Sequence, residues 1–286
     1  MTTLLDTAQT TAPVRPSTTP GRVTLARTTA AEWIKFRSVR STVWTLVATM
    51  ALMVGISVVA AWGTTQGYDP STSSGGMNVA QLLSAGYQLA QLGVAVLGVL
   101  IITGEYSTGM VRSTFTAVPR RLPVLWAKAW VLTLAVLAVS VAAMTLSYLA
   151  TMPFHDELRA TFDLSDAETL RMTIALPLYL AAIGLLAFSV GALVRHGAAA
   201  LAGVIAVLLV IENVLVLIPA RAIELISPFL PSTAGRRVLF DQEMIETLDA
   251  TTRGVHLTPW QGFAVLLTWV TVLLILAGVM LRRRDA

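Results

Sequence analysis

Six stretches of about 20 predominantly apolar residues, at 43–62, 81–103, 126–151, 172–194, 198–218 and 260–281, constrain this chain more than any other feature. The hydrocarbon core of a bilayer offers no water to backbone N–H and C=O groups, so a segment inside it must satisfy its own hydrogen bonds. Helices do this within one segment and closed β-barrels do it between strands. Leu, Val, Ala, Gly and Ile dominate all six stretches without the ~10-residue alternating pattern of a barrel. The predicted class is therefore an all-α polytopic membrane protein with six transmembrane helices. Charge content agrees: only 13% of residues are charged, against about a quarter in soluble chains. No cysteine is present, which excludes disulfides, a thiol nucleophile and thiolate metal ligands.

Positive charge predicts the orientation. With the amino terminus inside, the cytoplasmic parts carry 14 of the 20 Lys and Arg residues, from Arg15 to Lys35 and Arg40, then Arg112, Arg120, Arg121 and Lys128, then Arg195, and finally Arg282, Arg283 and Arg284. The outer loops keep Arg159, Arg171, Arg221, Arg236, Arg237 and Arg253, together with the acids Asp156, Glu157, Asp163, Asp166 and Glu168. Both termini are expected in the cytoplasm of a multi-pass protein of the cell membrane. In a soluble protein this basic balance would suggest nucleic acid; here it follows the membrane rule, and no nucleic-acid partner is expected.

Outside the spans, 1–24 is rich in Thr and Pro and reads as a disordered cytoplasmic tail. No continuous apolar core precedes Val43, so no cleaved signal peptide is expected. Residues 25–42 read as an interfacial elbow helix, opened by a capping box of Thr29 and Glu32, with Trp33, Ile34, Phe36 and Val39 interleaved with Lys35, Arg37 and Arg40. The six-helix domain occupies 43–281, with a cytoplasmic loop at 104–125, an outer segment at 219–259, and a short tail at 282–286. Within the outer segment, 223–231 (IELISPFLP) is too apolar for a solvated loop and too short for a span, and predicts a partly re-entrant element. Ser165 and Glu168 suggest a capping box leading into the fourth span. Pro177 should bend that span, and Gly55, Gly93, Gly98, Gly184 and Gly203 should admit close helix approach.

Catalytic motifs are lacking. Neither lysine, Lys35 or Lys128, follows a G-x-x-x-x-G-K phosphate loop, no G-x-S-x-G turn occurs, and His155, His196 and His256 show no paired-ligand spacing. No catalytic residue, cofactor or metal site is expected. Two polar features inside spans need an account. Glu212 is the one acid well inside an apolar run, where an ionisable group costs roughly 2.5–3.5 kcal/mol on insertion scales. It is either a proton or cation site of an ion-coupled secondary carrier, or a structural charge paired to Arg221 or the outer loop. Gln81, Ser84, Gln88 and Gln91 are spaced three, four and three, on one helical face. They either line a polar pathway or hydrogen-bond between helices.

The segment 104–121 (GEYSTGMVRSTFTAVPRR) lies between the second and third spans, on the cytoplasmic side. Val111, Phe115 and Val118, with Met110 beside them, make a short apolar stripe that Pro119 stops. Glu105, Arg112, Arg120 and Arg121 flank it, with Glu105 placed to pair with an arginine or to accept from helix amides.

The run 104–129 (GEYSTGMVRSTFTAVPRRLPVLWAKA) resembles the segment after the second span in ABC type-2 permeases, the membrane subunits of ATP-binding-cassette exporters. Residues 32–44 (EWIKFRSVRSTVW) resemble that family's elbow helix, and 229–235 (FLPSTAG) its outer segment before the last span. The resemblance implies that 104–121 is a coupling helix. Val111, Phe115 and Val118 would then dock into a groove of an ATPase subunit, with Glu105, Arg112, Arg120 and Arg121 at its rim. It further implies two separate ATPase subunits, a second permease subunit, identical or similar, and export of a small or amphipathic compound along a path between the two six-helix halves.

Overall fold

The structure is a computed structural model that describes residues 24–67, 77–109, 121–216, 218, 221–251 and 254–283. Its regular elements are helices, and an isolated parallel bridge joins Asn78 to Thr161. Six helical paths are long and apolar enough to cross a membrane, so the chain is an all-α, multi-pass membrane protein.

The first helix, α1 (Leu25–Ser38), is capped by Thr24, whose hydroxyl accepts from the Arg27 amide at 3.4 Å. The expected capping box does not form: Thr29 lies inside the helix, its hydroxyl donating to the Leu25 carbonyl, and Glu32 turns inward. Val39 is extended and ends the helix. The elbow therefore stops short of residue 42, and α2 (Arg40–Gly67) carries the first span as one 28-residue helix. The second span is broken into α3 (Val79–Ser84) and α4 (Tyr87–Thr108) at Ala85–Gly86. Gly86 sits there against α2, where a Cβ would lie 2.6 Å from the Met53 carbonyl oxygen.

The third span, α5 (Arg121–His155), is followed by α6 (Ala167–Val194), the fourth. Its cap is Asp166, which accepts from the Thr169 amide at 2.9 Å; Ser165 bonds Asp163 instead, and Glu168 accepts from the Gln242 amide. The expected Ser165–Glu168 box is thus displaced by one residue, because Asp caps as well as Ser. The fifth span comprises α7 (Gly197–Ile205), a π-helical turn (Ala206–Ile211) and α8 (Glu212–Val216).

The outer segment is built from short pieces: α9 (Arg221–Ile226), a 3₁₀ turn (Ser227–Phe229), α10 (Pro231–Arg236), a second 3₁₀ turn (Arg237–Leu239) and α11 (Gln242–Thr251). The sixth span is α12 (Pro259–Arg283). The buried residues of this segment lie between Ser227 and Leu239, chiefly in 231–239, while Leu225, Ile226 and Phe229 are exposed. The re-entrant element is therefore shifted beyond the expected 223–231, because small residues (Ser232, Ala234, Gly235) fit against helices where larger ones do not.

The fourth span is the axis of the bundle. Its most apolar stretch is 78% buried, against 17% for the first span and 28% for the sixth. Glycine permits the approach: a Cβ at Gly98 would lie 2.4 Å from the Gly184 carbonyl, and one at Gly93 would strike the Thr49 side chain. Gly55 and Gly203, expected to do the same, face open space. Contacts also sort the span ends onto two sides. The helix α1 meets the end of α4 and the start of α5; on the other side Asn78 donates to Thr169, and Gln81 bonds Asp241 of the outer segment.

Replacing Gly98 by Val should force α4 and α6 apart and destabilise the protein by about 1–3 kcal/mol. Gly55→Val should leave it unchanged. Thermal unfolding in detergent would distinguish them, and equal midpoints would refute this packing account.

Candidate functional site

Two buried polar clusters lie at opposite ends of the bundle. The first grows from the face of α1. Thr28, Glu32 and Phe36 recur every four residues, so they share one side of the helix, and all three are buried. Lys128 lies two turns into α5 and is 4% exposed. Its ammonium donates to Glu32 Oε2 at 2.6 Å and to Glu105 Oε1 at 2.7 Å. Lys35 donates to Glu32 Oε1 and to Glu105 Oε1, each at 3.2 Å. The two lysines are the only ones in the chain, and both serve this network.

An ammonium removed from water costs several kcal/mol unless paired and hydrogen-bonded. Two carboxylates and two ammonium groups supply that compensation and join three elements: α1, the exit of the second span and the entry of the third. Burial alone would pull the Lys35 ammonium below its ordinary pKa of 10.5, but Glu32 and Glu105 outweigh it and hold the value above. A pocket of about 310 Å³ adjoins the network, its apolar wall made by Phe36, Val39, Leu100, Ile101 and Val131. Across from it, the Arg195 guanidinium lies over the Tyr106 ring at 5.4 Å, bringing the end of the fourth span to that of the second.

The second cluster centres on Glu212, which is 1% exposed. It follows directly on the π-helical turn, a wider coil that re-aims the residues after it. Its carboxylate accepts from the Ser232 amide at 2.9 Å, from the Thr233 amide, and from the Thr233 hydroxyl at 2.8 Å. Glu212 thereby caps α10, satisfying amides that would otherwise be buried without partners. Ser232 continues the chain of bonds: the Tyr179 hydroxyl lies 3.5 Å from its Oγ and donates to Gln91 Oε1 at 2.6 Å. One polar thread thus crosses the bundle from the fifth span through the re-entrant helix and the fourth span to the second.

The expected site residues separate accordingly. Glu105 pairs with Lys35 and Lys128. Met110, Val111, Arg112, Phe115, Val118 and Arg120 lie outside the described residues, and Arg121 opens α5 with its side chain undescribed. The glutamine stripe does not form one face, because the break at Ala85–Gly86 resets the helical phase. Gln81 bonds Asp241, the Ser84 hydroxyl donates to the Gln81 carbonyl, Gln91 is buried against Tyr179, and Gln88 is exposed. Three of the four serve bonds within the chain. Glu212 bonds the segment before the last span, through two backbone amides and the Thr233 hydroxyl.

Glu32, Lys35 and Lys128 escape sequence reasoning as a site. The available signal was a lysine inside the apolar face of a span, together with an acid at a span exit. Among the described residues, no cluster of three His, Asp or Glu side chains is arranged to hold a metal ion. His256 bonds Asp249, which Arg237 also holds at 2.7 Å, and His196 caps α7.

Fold and clusters together define a polytopic helical membrane protein with a charge-locked amino-terminal helix and a capped re-entrant element. No protein-family model matches the sequence, and no curated protein matches it.

Lys128→Met would leave Glu32 and Glu105 facing each other beside Lys35 alone, and should cost about 3–5 kcal/mol of stability in thermal unfolding. Because the Lys35 value is raised, its stabilisation is complete below pH 10.5 and fades only as pH climbs through the elevated value. Protease resistance of α1 should therefore stay flat between about pH 6 and 9. Glu212→Ala should cost about 1–3 kcal/mol by leaving the α10 amides unsatisfied.

Proposed function

We propose that this chain is the permease subunit of an ATP-binding-cassette exporter of the type-2 class. It works with a second permease subunit, identical or similar, and with two ATPase subunits that hydrolyse ATP on separate chains. The observation that carries this reading is the docking of α1 across the exit of the second span and the entry of the third. Those two ends bracket 104–121, the segment whose sequence resembles a coupling helix. A push on that segment reaches Glu105 on one flank and Lys128 on the other; these two pair with each other, Lys128 also bonds Glu32, and Lys35 joins Glu32 to Glu105. The three elements would move as one body, which is what conversion of ATPase closure into helix displacement requires.

The orientation follows from the charge distribution: both termini and the 104–121 segment in the cytoplasm of a cell-membrane protein. The compound carried is small or amphipathic, in keeping with an outer face built of short helices. The polar thread through Gln91, Tyr179, Ser232 and Glu212 couples the re-entrant element to the bundle axis, and exposed Gln88 is free to line the path between the two permease halves. Glu212, engaged by three donors, supports a structural role over that of an ion-coupled carrier.

Mild-detergent co-purification tests this. An ATP-binding-cassette ATPase should accompany the wild-type chain and be lost with Phe115→Asp. Absence of an ATPase from both, together with transport in ATPase-free liposomes that Glu212→Gln abolishes, would replace the permease reading with the carrier.

A further inference from the structure

The chain concentrates arginine where the third span begins and the sixth ends: Arg120 and Arg121 precede Leu122, Arg282 and Arg283 close α12, and Arg284 follows them in sequence, with Asp285 as the one nearby acid in sequence. The fold brings these two ends together. At Gly278 of α12 a Cβ would lie 3.3 Å from Leu122 Cδ2, so the two helices meet closely at that level. Beside the contact a groove of about 230 Å³ opens between them, lined by Leu122, Trp126, Ile275, Gly278 and Val279, with Arg282 at its end. Trp126 and Ile275 are about half exposed. No Asp or Glu lines the groove, and among the described residues Arg282 has no ion-pair partner.

In a six-span membrane protein such a groove faces acyl chains. An apolar groove alone does not select among lipids, because hydrocarbon tails are equivalent to it. Selection comes from the head, and here the head meets arginine. The guanidinium is planar, permanently charged and matched to phosphate oxygens. Trp126 suits the level between headgroups and tails. The pocket beside Lys128 contrasts with it: its two ammonium groups are already matched by two carboxylates, so it selects neither sign. We propose that the groove between the third and sixth spans is a binding site for one anionic phospholipid from the leaflet on the side of the chain's termini. One acyl chain lies along Trp126 and Ile275, and the phosphate sits on Arg282. This site is independent of the transport reading.

Native mass spectrometry of the purified full chain, titrated with phosphatidylglycerol or phosphatidylcholine of matched acyl chains, tests the site. Wild type should retain phosphatidylglycerol preferentially. Arg282→Gln should weaken that retention about fivefold. Ile275→Trp, which fills the groove and keeps every charge, should weaken it comparably, whereas Arg37→Gln should have no effect. Both test positions are exposed, so folding is not at stake. Equal retention of the two lipids by wild type overturns the site. So does an effect of Arg282→Gln with none of Ile275→Trp, which would mean surface attraction without a seat. Displacement of the lipid by soluble glycerol phosphate at matched concentration would also overturn it, because the headgroup alone would then suffice.

Discussion

A polar group that leaves water for the interior of this bundle must bring its partner with it. That requirement acts first on the backbone, where it selects helices for all six spans. It acts again on the few side chains that carry charge or strong dipoles inside. Lys128 is tolerated at 4% exposure because two carboxylates reach it from different helices. Glu212 is tolerated at 1% exposure because the start of α10 points two amides and a hydroxyl at it. Neither solution is available within one helix, so each buried charge binds separate elements together.

These two solutions divide the labour of the fold. The lysine network holds the amino-terminal helix on the side of the termini, and the glutamate cap holds the re-entrant segment on the other. Between them the fourth span packs on the second through Gly98 and Gly184, where the missing side chains let the backbones touch. A bundle so clamped at both ends is suited to moving as rigid groups of helices. Such motion redistributes contacts at interfaces instead of deforming a packed core.

The departures from sequence expectation share one cause. Helix starts moved by a residue or more where a second capable cap stood nearby: Thr24 in place of Thr29, and Asp166 in place of Ser165. The glutamine stripe lost its common face because Ala85 and Gly86 interrupt the helix, so the spacing of three, four and three ceased to mean a shared direction. Gly55 and Gly203 read like Gly98 in sequence but face open space, since close approach is a property of two helices and not of one. In each case a local rule was sound and its neighbourhood was missing.

The sequence by itself determined the six spans, their order and the helical class. Transfer of apolar side chains into a membrane is summed over contiguous residues, so local composition is enough to decide it. Only the tertiary structure decided which charges meet. Glu32 and Lys128 are separated by 96 residues and Glu212 and Ser232 by 20. Their pairing depends on how each helix is rotated and how deeply it is set against its neighbours. Those angles follow from packing over the whole bundle, where every glycine, kink and cap contributes, and no stretch of sequence holds them alone.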